Sequence, residues 1–173
     1  MLDILKSASM ILLLTLSATV ATQSDSLSVF SDLDGKPRQL EDYTGDGKWL
    51  VVMIWASDCH ICNMEAATYD AFHKAQQDKN ISVLGISMDG EENRAAAKKF
   101  IERHDLSFPN LIGEPGMVSL YYASMTQENL RGTPTFLVYD PDGEIVAAQA
   151  GAVSVEAIES FIAKKNAARL AEK

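Results

Sequence analysis

Cys59 and Cys62 are the two cysteines of this 173-residue chain, and thiols separated by two residues can close a disulfide within one turn of helix. A single such pair excludes a multi-bridge disulfide scaffold and a four-cysteine zinc site. It leaves three readings open: thiol–disulfide exchange, soft-metal ligation, or two reduced thiols packed in a core. Haem attachment needs a histidine directly after the second cysteine, and Asn63 stands there. Glu65, three residues beyond Cys62, falls on the helix face of Cys62, Ala66 and Tyr69. Turned toward apolar surroundings, its carboxyl is expected to hold its proton to higher pH and to exchange it with Cys62. The plainer alternative is a solvated glutamate in the first turn of a helix.

The segments around the pair give it a setting. Leu50 to Trp55 is a continuous apolar run, the pattern of a strand buried on both faces, and Ile81 to Ile86 repeats it. Between them, Cys62, Ala66, Tyr69 and Phe72 recur at helical spacing, as do Ala97, Phe100, Ile101 and His104 after the second run. Thr135–Tyr139 and Glu144–Ala148 flank Asp140-Pro141-Asp142-Gly143 and read as an antiparallel hairpin. That turn lacks the remaining ligand positions of a calcium loop. A last helix is expected from near Ser154 to Lys164 and Lys165, burying Val155, Ile158, Phe161 and Ile162. Met117, Val118, Leu120, Tyr121 and Tyr122 suit a short packed helix. This alternation predicts one α/β domain. It also puts Cys59 at a helix N-terminus behind a buried strand, where free N–H groups and the macrodipole favour the thiolate. Cys59 is then the exposed nucleophile and Cys62 the resolving thiol.

Composition narrows the partners. A net charge of -9 argues against nucleic acid or an anionic membrane surface, both of which repel an acidic protein. Residues 1–21 carry Lys6, an apolar stretch from Ala8 to Ala21 and small residues before the polar Thr22 to Ser26, the layout of a cleaved signal peptide. Cleavage would remove one acid, Asp3, and one base, Lys6, leaving the charge unchanged. The expected product is an exported, periplasmic-type domain over residues 22–173. A membrane anchor is the alternative if the segment stays attached, although it is shorter than the ~20 apolar residues of a comfortable span. An oxidising compartment suits a redox-active pair.

Trp55-Ala56-Ser57-Asp58-Cys59-His60-Ile61-Cys62, then Glu65, then Gly132-Thr133-Pro134-Thr135, resembles the TlpA/ResA-like thiol:disulfide oxidoreductases of the thioredoxin superfamily, over about Leu33 to Ile162. The resemblance implies a central mixed β-sheet flanked by helices, with a cis-proline loop at Thr133-Pro134 beside the cysteines. It implies Glu65 as the family's buried acid, and Thr133, Pro134 and Trp55 as the residues that meet substrate. A cis bond there would free the backbone around Thr133 to pair with an extended substrate strand; otherwise Pro134 simply marks a strand start. Protein thiols and disulfides, apocytochrome c among them in several members, are the implied substrates, with an upstream redox partner and no cofactor.

Departures from the family pattern bear on direction. Asp58 stands where tryptophan is usual, and its charge opposes the Cys59 thiolate. Destabilising the thiolate disfavours the reduced form, which points to a reductase. His60-Ile61 replaces a pair that usually ends in proline; His60 either offsets Asp58 when protonated or is a solvated loop histidine. Met53 stands where thioredoxin itself has a buried aspartate, which leaves Glu65 as the acid for a relay. Two rival functions share the fold. A peroxiredoxin needs a proline and a threonine ahead of its cysteine, where this chain has Ile54-Trp55-Ala56-Ser57-Asp58. Copper-carrying relatives space their cysteines by three residues and add a distant histidine; here His60 or His104 would have to join Cys59 and Cys62 on Cu(I).

Overall fold

The structure is a computed structural model and describes residues 28–171. The expected signal segment, 1–21, lies outside the described residues. Among the described residues seven strands form one mixed sheet: β1 (Phe30–Asp32), β2 (Pro37–Arg38), β3 (Trp49–Trp55), β4 (Ile81–Ser87), β5 (Asn110–Gly113), β6 (Thr135–Tyr139) and β7 (Ile145–Ala150), in the order β2-β1-β5-β4-β3-β6-β7. Strands β3, β4 and β5 run parallel, and β6, β7, β1 and β2 pair antiparallel at the flanks. Every residue of β3 is buried, as its unbroken apolar run requires of a central strand covered on both sides.

Among the described residues four α-helices cover the sheet: α1 (His60–Gln76), α2 (Arg94–Arg103), α3 (Pro115–Thr126) and α4 (Val155–Ala171). Alternation along β3 divides the core. Trp49, Val51, Met53 and Trp55 pack with Cys62, Ala66, Tyr69 and Phe72 of α1, Ala97 and Phe100 of α2, and Ile158 and Ile162 of α4. Leu50, Val52 and Ile54 pack on the opposite face with Val118 and Tyr122 of α3. Each large side chain so buried stabilises the fold by roughly 1.5–3 kcal/mol relative to exposure. Among the described residues no helix is long and apolar enough to cross a membrane.

The expected elements are present, with differences at their margins. Helix α4 continues to Ala171, beyond Lys164 and Lys165. Tertiary contacts carry it on: Asn166 Oδ1 accepts from the Trp49 indole at 3.0 Å, and Arg169 reaches Asp140 and Asp142 at 2.8 and 2.6 Å. Val155 and Phe161 are half-buried, and only Ile158 and Ile162 of that helix are buried. Helix α3 exists, but Met117 and Leu120 are exposed because the sheet takes only its Val118 and Tyr122 face.

Candidate active site

The site is built where β3 ends and α1 begins. The connecting turn closes with the Cys59 N–H donating to the Ala56 carbonyl at 3.2 Å. Asp89, two residues past β4, holds this turn from below: the Ser57 N–H donates to both carboxylate oxygens at 3.1 Å and the Ser57 hydroxyl to Oδ1 at 2.7 Å. The Ser87 hydroxyl donates to Oδ2 at 2.6 Å. Three hydrogen bonds from Ser57 thus fix the turn just ahead of Cys59, and a fourth, from Ser87, braces the Asp89 carboxylate, all from neutral donors. Sequence reading missed Asp89; its one signal is a polar residue beyond the carboxyl end of a central parallel strand, where α/β sheets place their sites.

Cys59 directly precedes the first residue of α1 and is joined to Cys62 in a disulfide, with Cα atoms 5.2 Å apart. Cys59 is partly exposed, whereas Cys62 is fully buried against the sheet. The Cys62 N–H points at Cys59 Sγ, 3.0 Å away, as expected of a free donor in the first turn of a helix. Across the groove the Thr133 carbonyl oxygen lies 3.4 Å from Cys59 Sγ. The Thr133–Pro134 peptide is cis, so the proline loop stands beside the cysteines. Gly132 precedes it at φ +149°, a region L side chains rarely adopt. The Pro134 ring is buried and its carbonyl accepts from Gly151 at 2.8 Å. The half-buried Thr133 is thus the residue of this loop whose carbonyl meets the disulfide.

Trp55 is a correction. Its side chain is 0% exposed, stacked on Phe100 with centroids 4.2 Å apart, and its indole N–H donates to Asn110 Oδ1 at 3.1 Å. A side chain sealed in the core cannot meet substrate; Trp55 instead holds the end of β3. Gly85 makes room for it, because a Cβ there would stand 1.9 Å from Asn110 Oδ1 and 2.8 Å from the Trp55 indole nitrogen.

Glu65 is half-buried on α1, between Cys62 and Tyr69. Burial, then the carboxylates of Glu65 and Glu156, push the Tyr69 phenol well up from its ordinary value. Tyr69 stays a donor, to the Val153 carbonyl at 2.8 Å. Asp58 and His60 are both exposed, and no ion pair joins them. Asn63 takes up the carbonyls of Ser57 and Cys59 and meets Arg103 and His104 at the end of α2. Among the described residues no three His, Cys, Asp or Glu side chains gather as metal ligands.

An incoming thiolate can reach the outer sulfur of this disulfide but not the inner one. Attack on Cys59 would form a mixed disulfide there and release Cys62, which stands in the first turn of α1 ready to displace it.

The chain matches the family model described as the AhpC/TSA family over residues 20–148. It is 27% identical over 136 residues to the thiol-disulfide oxidoreductase ResA of Bacillus thuringiensis subsp. konkukian, covering 79% of this chain and 73% of that protein. Among solved structures it is similar to the thioredoxin domain of a thiol-disulfide oxidoreductase from Bacteroides vulgatus, with TM-score 0.62, 26% identity, and coverage of 77% of this chain and 88% of that one. The pneumococcal exposed lipoprotein thioredoxin Etrx1 of Streptococcus pneumoniae is equally similar at TM-score 0.62 and 26% identity, covering 78% of this chain and 96% of that one.

Proposed function

This chain belongs to the AhpC/TSA family, and from that premise we propose that it is an exported thiol:disulfide oxidoreductase that reduces protein disulfides through Cys59 and Cys62. The observation that carries the reading is the pairing of an accessible Cys59 sulfur with a buried Cys62 at a helix N-terminus, 3.4 Å from the carbonyl of the cis-proline loop. In the reduced protein the Cys59 thiolate attacks a substrate disulfide, and the first-turn N–H groups, that of Cys62 foremost, favour the anion. The bond formed is a Cys59–substrate disulfide, and the substrate's other sulfur leaves as a thiolate. Cys62 then attacks Cys59, closing the intramolecular disulfide and releasing the second substrate thiol. The two electrons lost by the cysteines are those gained by the substrate.

Glu65 takes the proton from Cys62 as that sulfur attacks, a role its place on the helix face between Cys62 and Tyr69 supports. Extended segments of protein substrates lie along the Thr133 backbone, whose carbonyl stands 3.4 Å from Cys59 Sγ; apocytochrome c is one class that presents paired thiols of this kind. Export follows from the signal layout of residues 1–21, and an upstream thiol partner must return electrons after each cycle. The reductase direction rests on Asp58, whose exposed carboxylate adjoins Cys59.

Equilibration of the Cys59/Cys62 couple with glutathione or dithiothreitol tests the direction. A potential near or below roughly -270 mV supports a reductase, and one near -120 mV reverses the assignment. Cys59→Ser should abolish insulin reduction, and Cys62→Ser should accumulate mixed disulfides with substrate. The family membership favours one second reading, a thiol peroxidase. Peroxide consumption by the reduced protein that matches its rate on protein disulfides would establish it.

A further inference from the structure

Asn63 follows Cys62 directly, and its half-buried side chain works in two directions. Its Nδ2 donates to the Ser57 carbonyl at 3.2 Å and the Cys59 carbonyl at 2.9 Å. Its Oδ1 accepts from Arg103 Nη1 at 3.1 Å and lies 3.0 Å from His104 Nε2. Chemistry fixes the amide's orientation. Carbonyls only accept, so the nitrogen must face them, and a guanidinium only donates, so the oxygen must face Arg103. The same logic places a proton on His104 Nε2. The result is a directed chain of donors from the end of α2, through Asn63, to the two carbonyls that flank Asp58.

Those carbonyls matter because each is a partial negative charge in the loop that must carry the Cys59 anion, and the Thr133 carbonyl already stands 3.4 Å from Sγ. The Asn63 N–H occupies one side of the Cys59 carbonyl at 3.1 Å, as the opening hydrogen bond of α1. The Asn63 side chain occupies the other. Resting on the reading of Cys59 as nucleophile, we infer that Asn63 is a positioning residue for it. By directing the donors of Arg103 and His104 onto the Ser57 and Cys59 carbonyls, Asn63 holds the loop so that the Cys59 thiolate meets the Cys62 N–H.

The titratable groups about this loop are Asp58 and His60 beside Cys59, Glu65 one turn along α1, Asp89 beyond β4, and Arg103 and His104 at the end of α2. Asn63→Ala changes none of them. Iodoacetamide labelling of the reduced full chain as a function of pH, with the labelled cysteine identified by mass spectrometry, reads the Cys59 midpoint directly. Asn63→Ala should raise that midpoint by about half a unit, seen as ~threefold slower labelling on its acid side. Arg103→Ala should raise it in the wild-type background and add nothing once Asn63 is alanine, because the route is then already cut. A direct charge effect of Arg103 would add equally in both backgrounds. Should Asn63→Ala fail to fold by circular dichroism, Asn63→Ser carries the same test with one donor in place of two.

A wild-type midpoint in the folded Asn63 variant, or an Arg103→Ala shift of the same size in both backgrounds, overturns the inference and leaves the nucleophile reading standing. Labelling of Cys62 ahead of Cys59 in the wild type overturns both.

Discussion

Asp70 and Asp89 each grip a loop by its backbone, and the two grips differ in charge. Asp70, on α1, accepts from the Ser107 N–H at 2.6 Å and the Ser107 hydroxyl at 2.7 Å, fixing the segment that leads into β5, and Lys74 pairs with it at 2.6 Å. Asp89 likewise accepts an N–H and a hydroxyl from one serine, Ser57, with Ser87 in the place of the lysine. Asp70 is 5% exposed, and a carboxylate so buried needs a cation or several strong donors to stay ionised. Asp89 is half-buried and is held by neutral donors alone among the described residues. One clamp serves the scaffold. The other sits under the redox loop and holds Ser57, two residues ahead of Cys59.

The largest effect expected from this contrast is on stability. Asp70→Ala leaves the Ser107 N–H without its acceptor and should lower the unfolding free energy by roughly 2 kcal/mol, measured by urea denaturation, with Cys59 labelling rates unchanged. The Lys74 side chain is about half exposed, so solvent screening keeps its share of that loss small. If Asp70→Ala slowed labelling as well, the two clamps would not be separable.

A pH series separates them next. Burial outweighs the nearby Asp70 carboxylate and, with Lys74, lowers His73 below its ordinary 6.5. The folded state therefore prefers neutral His73, whose Nδ1 accepts from the Val83 N–H at 3.3 Å. The unfolded chain binds the proton first, so this stability is complete above pH 6.5 and is lost as pH falls below it, until the folded pKa is passed. Burial and Arg103 lower His104 in the same direction, and His73→Gln and His104→Gln divide the loss between them. Asp70 answers in a lower window. Although burial pushes its carboxyl up, the hydrogen bonds from Lys74 and Ser107 prevail and hold it below 3.8, so its contribution is complete above 3.8 and disappears as pH falls further. Denaturation midpoints that stay level from about pH 7 to about pH 5, roughly the span of a typical histidine titration, would refute the histidine step.

Asp89→Ala should cost less stability than Asp70→Ala and affect catalysis more. Release of Ser57 broadens the positions open to Cys59, and insulin reduction should fall about threefold to tenfold, since misplacement of a reacting group by ~1 Å is enough for larger losses. An Asp89→Ala enzyme with wild-type turnover would leave the clamp purely structural.

The smallest effect belongs to Asp58. Its charge, ~6 Å from the sulfur in a dielectric near that of water, changes the thiolate equilibrium by about threefold. Asp58→Asn should accelerate acid-side labelling of Cys59 by that factor and raise the reduction potential, and both changes should shrink in high salt. No change would remove the support for a reductase.

Much of this molecule was legible because its signals are local. The apolar run Leu50–Trp55 could be satisfied only by a strand covered on both faces, and the stripe Cys62, Ala66, Tyr69 and Phe72 only by a helix laid against it. Together they set the cysteine pair at a strand-to-helix junction, and Thr133-Pro134 marked the second loop through its resemblance to a family. The short strands β1, β2 and β5 carry too few residues to show a period, and they exist through pairing with each other and with β4. Only the tertiary structure decided that the Thr133 carbonyl meets Cys59, that Asp89 grips Ser57, that Trp55 turns inward onto Phe100, and that Arg169 carries α4 to Ala171. Each of these joins residues at least 27 positions apart. Periodicity reports which face of an element is buried, whereas the partner across such a gap is chosen when separate elements pack.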